Sequence, residues 1–197
     1  MVSTGEILED LRDTLGHAKM CHEIWWAFVG VRKDRESFIS TALPYEEFFV
    51  PVQVACYCTF VQKLTTVFDS SNDSISLKKF FNRVRNECRS PDVKSNLKKI
   101  ELELDSVWDA GSKLYKVRSK LIAHRSLKKF STDYPKETGF VLNDLKSLLD
   151  STIEVFGKIA TQYNGSGDGL KDVTSLDALA SIIESLKTPP SLAVPKL

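Results

Sequence analysis

Apolar residues recur along most of this chain with the three- or four-residue spacing that places them on one face of an α-helix. The first such segment runs from Ile7 to Phe28 and predicts a long amphipathic helix. Its apolar stripe consists of Leu8, Leu11, Leu15, Ala18, Trp25 and Val29.

A second helix is predicted from Pro44 to Phe68. Proline is favoured at the first helical position, and Glu46 and Glu47 supply the acids typical of a first turn. Pro51 is predicted to kink this helix or to reset its beginning, because proline lacks a backbone N–H. The stretch from Phe48 to Val61 is the most apolar of the chain. It falls short of the roughly 20 apolar residues of a membrane span, so we interpret it as a buried central helix.

A polar turn from Asp69 to Ser74 separates this segment from a third helix. Ser74 or Ser76 is the predicted N-cap of that helix, because a serine hydroxyl can accept a hydrogen bond from a free N–H of the first turn. The predicted core positions of the third helix are Leu77, Phe80, Phe81 and Val84.

The next helix is predicted to start at Pro91, and its apolar spacing continues to Leu121, with Gly111 as the one plausible break. The segment from Phe130 to Gly139 is predicted to be a loop because it is rich in Ser, Thr, Asp, Pro and Gly. Helical spacing resumes from Val141 to Tyr163.

A last short helix is predicted to begin at Thr174 or Ser175 and to end near Lys187. Alternation of period two is nowhere long enough to predict a sheet, so the fold class is all-α, an up-and-down helical bundle. We predict one bundle domain over residues 1–164, followed over 165–197 by a linker, the short helix and a Pro-rich tail.

The composition is that of a globular protein, with 42% hydrophobic and 27% charged residues. The first residues, Met1 to Leu15, carry acids and lack the apolar core of a signal peptide, so a cytoplasmic location is expected, with no membrane association. Free thiols are expected for Cys21, Cys56, Cys58 and Cys88. A metal site on His17, Cys21, Cys56 and Cys58 is disfavoured, because residues two apart on a helix point about 200° apart. No metal and no cofactor are expected.

Positive charge is concentrated between Lys113 and Lys129. This segment contains seven Lys or Arg residues and no acid, although the whole chain has 27 basic and 26 acidic residues. The rest of the chain therefore carries an excess of acids. Such a concentration is typical of a site for a phosphate or a polyanion. The alternative is an ordinary basic face exposed to solvent.

Two residues inside this basic segment have the chemistry of a phosphodiester site. His124 lies three residues after Leu121, at the edge of the apolar stripe, where neighbouring cations favour a neutral imidazole that can act as a general base. Arg118 can hold a phosphate. The alternatives are a structural histidine and, for Arg118, a surface ion pair with an acid such as Glu101 or Asp105.

The spacing Arg118, five residues, His124 fits the Arg, four-to-six residues, His signature of the HEPN superfamily of small helical bundles. The local sequence from Val117 to His124 resembles the abortive-infection AbiU-type branch of that superfamily. The stretches Leu64–Asp69 and Ser74–Leu77 resemble its aromatic-Asp and Ser-x-Ser-Leu motifs. The resemblance spans roughly Cys56 to His124.

The resemblance implies a metal-independent endoribonuclease of toxin or antiviral type. His124 would transfer a proton to or from RNA, and Arg118 would bind the phosphate and stabilise its transition-state charge. Asp69 is expected to cap or brace the helix after it rather than to react. Further contacts to RNA or phosphate are expected from Ser119, Lys120, Arg125 and Lys128.

The resemblance also implies a homodimer, because one motif supplies one histidine and in-line transfer needs both a base and an acid. RNA and a cognate antitoxin or regulator are the other expected partners.

Ser119 departs from the Asn, Asp or His that catalytic members carry after the arginine. This departure favours an alternative, a catalytically inactive HEPN module that binds nucleotide, RNA or a protein. A third hypothesis is a helical scaffold whose basic face binds an acidic partner.

Overall fold

A computed structural model describes residues 2–30, 35–118, 141–165, 170 and 175–187. These ranges contain helices and no strand, which confirms the all-α prediction. In chain order the helices are α1 (Thr4–Val29), α2 (Arg35–Ala42), a 3-10 turn (Leu43–Tyr45), α3 (Glu46–Val67), α4 (Leu77–Glu87), α5 (Pro91–Arg118), α6 (Leu142–Asn164) and α7 (Ser175–Lys187).

Helix α1 starts with a capping box, a reciprocal pair of hydrogen bonds that the prediction missed. The Glu6 N–H donates to the Ser3 hydroxyl at 3.2 Å, and the Ser3 N–H donates to the Glu6 carboxylate at 2.7 Å. The predicted stripe of this helix is buried, with Leu11, Leu15 and Ala18 almost completely inaccessible. The apolar periodicity therefore identified the face that packs into the bundle.

Helices α1 and α3 run antiparallel and form the centre of the core. Trp25 packs on Tyr57 with ring centroids 4.8 Å apart, and Phe28 packs on Phe49 at 5.6 Å, so later residues of α1 meet earlier residues of α3. The end of α3 consequently lies beside the first half of α1. This arrangement places the turn that begins at Asp69 against α1.

The first half of α3 departs from the prediction of a buried central helix. The side chains of Phe48, Val50 and Val54 are 63%, 53% and 41% exposed, although Phe60 and Leu64 in the second half are fully buried. High apolarity does not say which side of a helix is covered, and only one side of α3 packs into the bundle. No helix in the described ranges combines the length and apolarity that crossing a bilayer requires.

A second, smaller apolar cluster joins helices that are far apart in sequence. Phe38 of α2 packs on Phe28 of α1, with ring centroids 5.0 Å apart. Leu179 and Ile183 of α7 are buried in the same cluster, and the Ser175 hydroxyl donates to the Glu23 carboxylate of α1. The last helix thus packs on the bundle, while the domain boundary near residue 164 stays a prediction.

Gly111 does not break α5, which corrects the prediction for this helix. The helix runs without interruption from Pro91 to Arg118, and Pro51 likewise lies inside a continuous α3. A side chain at position 111 would place its Cβ 2.4 Å from the ring of Phe68, which is 2% exposed. The glycine is therefore required by close approach of an aromatic ring to the helix backbone.

The Gly111→Ala variant is expected to be less stable by about 1–3 kcal/mol, because a buried ring has no room to move away from the added methyl group. This cost exceeds the gain of up to about 1 kcal/mol that alanine brings to a helix interior. Gly157→Ala in α6 is the matched control, because nothing lies within 4 Å of its added Cβ. Urea unfolding should show that Gly157→Ala is more stable than wild type and Gly111→Ala is less stable. An increase in stability for both variants would contradict the close packing of Phe68 on Gly111.

His22 of α1 is a buried histidine inside an aromatic cage. Its ring lies 5.4 Å from that of Trp26 and 5.0 Å from that of Phe60, and its Nε2 has no hydrogen-bond partner. Burial lowers the pKa of His22 from 6.5 to about 4, with a smaller contribution from the charge of Lys146 and an opposing one from Asp150. The native imidazole is therefore neutral at pH 7.

The low pKa of His22 predicts a loss of stability in mild acid. The unfolded chain protonates this histidine below a pH of about 6.5, whereas the folded chain does so only near pH 4. The free energy of unfolding therefore decreases as the pH is lowered from about 6.5 to about 4. The difference in pKa corresponds to on the order of 3 kcal/mol. Urea unfolding at pH 7 and pH 4.5 should show a larger loss for the wild type than for His22→Phe. Equal losses for both proteins would show that His22 does not cause the effect.

Candidate functional site

The aromatic-Asp motif forms a tight turn at the end of α3. The Asp69 N–H donates to the Thr66 carbonyl at 3.1 Å, and the Asp69 carboxylate accepts from the Ser71 N–H at 2.8 Å. The Ser74 hydroxyl donates to the Asp69 carbonyl at 3.2 Å. Asp69 therefore braces its own turn, as expected of a short polar side chain at such a position. Ser76 is the N-cap residue of α4, but its side chain makes no capping hydrogen bond.

Lys79 of α4 holds the rest of this turn. Its ammonium group donates to the carbonyl oxygens of Ser71, Asn72 and Ser74 at 2.5, 2.7 and 2.6 Å. An ammonium group has three N–H donors, so each can serve one carbonyl. The turn is thereby tied to the first part of α4.

The contact between Phe68 and Gly111 fixes the end of α3 against α5. Phe68 also packs edge-on against Trp108, with ring centroids 5.8 Å apart. Tyr115 and Arg118 follow Gly111 by four and seven residues, so all three lie on one face of α5 within about 60°. Asp69, the next residue after Phe68, consequently lies near Tyr115, which hydrogen-bonds to it, and near Arg118.

These three half-buried side chains, Asp69, Tyr115 and Arg118, form what we call the Asp69 cluster. The pKa of the Asp69 carboxyl lies below its ordinary value, mainly because the Ser71 N–H donates to it. Hydrogen bonds from the Ser71 and Tyr115 hydroxyls and the charge of Arg118 add to this effect, and partial burial opposes it. Asp69 is therefore an anion at neutral pH, beside the guanidinium group.

Tyr115 remains a protonated phenol in this cluster. Partial burial raises its pKa, and the charge of Asp69 and the hydrogen bond to it raise the pKa further, whereas Arg118 lowers it. The phenol therefore donates to Asp69 and is not a base. Sequence reasoning missed Tyr115, although its position three residues before Arg118 puts it on the same helical face.

The acids that were alternatives for Arg118 have other partners. Glu101 pairs with Arg85 at 2.8 Å, and Asp105 pairs with Lys78 at 3.1 Å. The alternative of an ion pair between Arg118 and one of these two acids is therefore not what the structure shows. The charge of Arg118 acts instead on Asp69, which lies in the turn after α3.

The other predicted site residues lie outside the described residues. They are Ser119, Lys120, His124, Arg125 and Lys128. Arg118 is the last residue of α5 that the structure describes, so the basic segment continues directly from the Asp69 cluster along the chain.

A cavity of about 330 Å³ adjoins the cluster and shares Asp69 with it. One wall is α1, and the other is the end of α3 with the turn that follows. Its lining residues are Asp10, Leu11, Thr14, Thr66, Asp69, Ser74 and Ile75.

The four cysteines are free thiols, as predicted. Burial raises the pKa of Cys56 to about 11, and its side chain contacts Cys21. Within the described ranges, no group of His, Cys, Asp and Glu side chains is arranged to hold a metal ion.

The fold and the site together define a class of protein: an all-α HEPN-type bundle in which the arginine of the Arg-His motif lies on a long helix beside an aromatic-Asp turn. The chain belongs to the HEPN AbiU2 family, which is associated with abortive infection, and the family model matches residues 1–181. This match extends well beyond the stretch from Cys56 to His124 that carried the resemblance and takes in most of α7. No curated protein and no solved structure matches the chain.

Proposed function

We propose that this protein is a metal-independent endoribonuclease of toxin or antiviral type, in which Arg118 binds the scissile phosphate and His124 transfers a proton. The observation that carries the proposal is the Asp69 cluster, because its carboxylate interacts electrostatically with the motif arginine inside the basic segment.

An oriented guanidinium group is well suited to a phosphate. Arginine has five N–H donors in a planar fork, so its electrostatic interaction with the Asp69 carboxylate leaves donors for phosphate oxygens. The Tyr115 hydroxyl and the Ser71 N–H also donate to that carboxylate, which keeps its position when Arg118 binds an anion. A positioned cation stabilises the extra negative charge of the transition state more effectively than one that must reorganise.

The chemistry uses the 2′-hydroxyl of RNA as the nucleophile. Its oxygen attacks phosphorus while His124 accepts its proton, the bond from phosphorus to the 5′-oxygen breaks, and an acid protonates the leaving oxygen. A cyclic phosphate remains on the 5′ fragment. In a continuous helix, Arg118 and His124 would be about 120° apart around the axis and about 9 Å apart along it. A homodimer would bring a second histidine to the same phosphate as the acid.

The test compares wild type with His124→Ala on total RNA in the presence of a chelator, and on the growth of expressing cells. Wild type should degrade RNA and slow growth, and the loss of proton transfer should lower the cleavage rate roughly a hundredfold to ten-thousandfold. An oligonucleotide with deoxyribose at every position should stay intact. Intact RNA and equal growth for both proteins would refute the nuclease.

Ser119 favours a second candidate, an inactive HEPN module that binds RNA or nucleotide, because serine lacks the amide or charge expected after the arginine. RNA binding by the wild type without cleavage under any of these conditions would identify this function instead.

A further inference from the structure

We propose that the cavity beside the Asp69 cluster binds a nucleobase of the RNA, with guanine preferred, next to the phosphate held by Arg118. This inference rests on the proposed action on RNA and names the part of the substrate that the site would select.

The position of the cavity fits a base that neighbours the scissile phosphate. Asp69 lines the cavity and also interacts with Arg118, so the two sites share a residue. Among the described residues that line the cavity there are two acids and no Lys or Arg, which makes it a poor site for the phosphate itself. A nucleotide fits the two adjoining sites if its phosphate lies at Arg118 and its base lies in the cavity.

Two hydroxyl groups in the cavity already use their protons on backbone carbonyls. The Thr66 hydroxyl donates to the Lys63 carbonyl at 2.7 Å, and the Ser74 hydroxyl donates to the Ser71 carbonyl at 2.9 Å. Each hydroxyl oxygen can then only accept a hydrogen bond from a ligand. Because Asp69 is an anion, its carboxylate also only accepts.

Asp10 adds an exposed carboxylate that has no hydrogen bond or ion pair with other described residues. The lining therefore consists largely of acceptors, and it selects a ligand that is rich in N–H donors. The half-buried Ile75 supplies apolar surface for the face of a flat ring.

Guanine matches this lining better than the other RNA bases. It presents an imino N–H directly beside an amino group, and this pair of donors fits the two oxygens of one carboxylate. Adenine, cytosine and uracil lack adjacent donors of this kind. A volume of about 330 Å³ lies at the small end of the range for ligand sites, which suits one base rather than a larger ligand.

The test uses full-length His124→Ala protein, so that RNA is bound and not cleaved, and short RNAs with one central guanosine, inosine or adenosine. Inosine differs from guanosine only by the missing amino group. Fluorescence anisotropy should show roughly 5- to 150-fold tighter binding of the guanosine RNA than of the inosine RNA, as expected for loss of one bidentate pair. The wild-type protein, which keeps His124, should cleave the RNA next to the guanosine.

Asp10→Asn should reduce the preference for guanosine over inosine, because an amide offers one acceptor in place of two. Asp13→Asn is the matched control, because Asp13 is an exposed acid of the same helix that does not line the cavity. The preference of Asp13→Asn for guanosine over inosine should equal that of the His124→Ala protein in which both substitutions are made.

The outcomes separate the two proposals. Equal binding of the guanosine and inosine RNAs overturns the base pocket and leaves the nuclease standing. A guanosine preference that Asp10→Asn reduces, without any cleavage by the wild type, supports the pocket and overturns the nuclease. Failure to bind any of the RNAs overturns both.

Discussion

Replacement of Arg118 by Ala is expected to lower the rate of RNA cleavage roughly a hundredfold to a thousandfold, because a positioned donor to the transition-state charge is lost. The fold should be unaffected. Arg118 is only half-buried, and substitutions at the protein surface typically change stability by less than about 0.5 kcal/mol. Single-turnover cleavage and urea unfolding of the same preparations measure the two quantities.

Two further variants make this result specific. Arg118→Lys keeps the charge but not the planar fork of donors, so its activity should lie between those of wild type and Arg118→Ala. Arg85→Ala removes an exposed arginine whose partner is Glu101, away from the Asp69 cluster, and should cleave like wild type. An equal loss in Arg85→Ala would mean that general positive charge, and not an oriented guanidinium group, supports the activity.

The second large effect is expected on stability. Phe68→Ala should reduce the free energy of unfolding by about 3–5 kcal/mol, since it removes a fully buried ring that packs on Trp108 and on the backbone at Gly111. Such a loss is a large part of the roughly 5–15 kcal/mol that stabilises a typical domain. Urea unfolding followed by circular dichroism measures it.

Phe48→Ala is the matched control for this substitution. Phe48 lies on α3, the helix that Phe68 caps, but is 63% exposed, so its removal should change stability by about 0.5 kcal/mol or less. A cost at position 48 that equals the cost at position 68 would show that the exposed half of α3 is covered in solution, for example by another protein chain.

The long helices could be predicted from the spacing of their apolar residues. The stripe from Leu8 to Val29 repeats over about six turns, and the structure buries that face. Start signals were informative as well, since Pro91 begins α5 and Ser175 begins α7. Periodicity and capping are local properties, so they can be read without knowledge of the tertiary structure.

Features that depend on tertiary contacts were missed. Helix α2 has only eight residues, and just Phe38 and Ala42 are buried, which is too few to show a period. Gly111 looked like a break because glycine usually weakens a helix, but the reason for it is an aromatic ring from another helix. Pro51 does not reset the beginning of its helix, because α3 already starts at Glu46.

The candidate site was predictable only in part. Arg118 and the stretch ending at Asp69 both followed from the family resemblance, but nothing in the sequence says that residues 49 positions apart interact. Tyr115 belongs to no motif of that resemblance, so only the packing of α3 on α5 reveals its role. The roles of His124 and of the four residues expected to bind RNA remain predictions.

The contact of Phe68 with Gly111 also restricts how this chain can vary in length. Arg118 follows Gly111 by seven positions, and one inserted residue between them would rotate the arginine by about 100° and move it about 1.5 Å along the axis. The guanidinium group would then point away from Asp69 while the core contact stayed intact. Insertions or deletions between these two positions should therefore be rare among functional relatives, even where substitutions at the exposed positions between them are frequent.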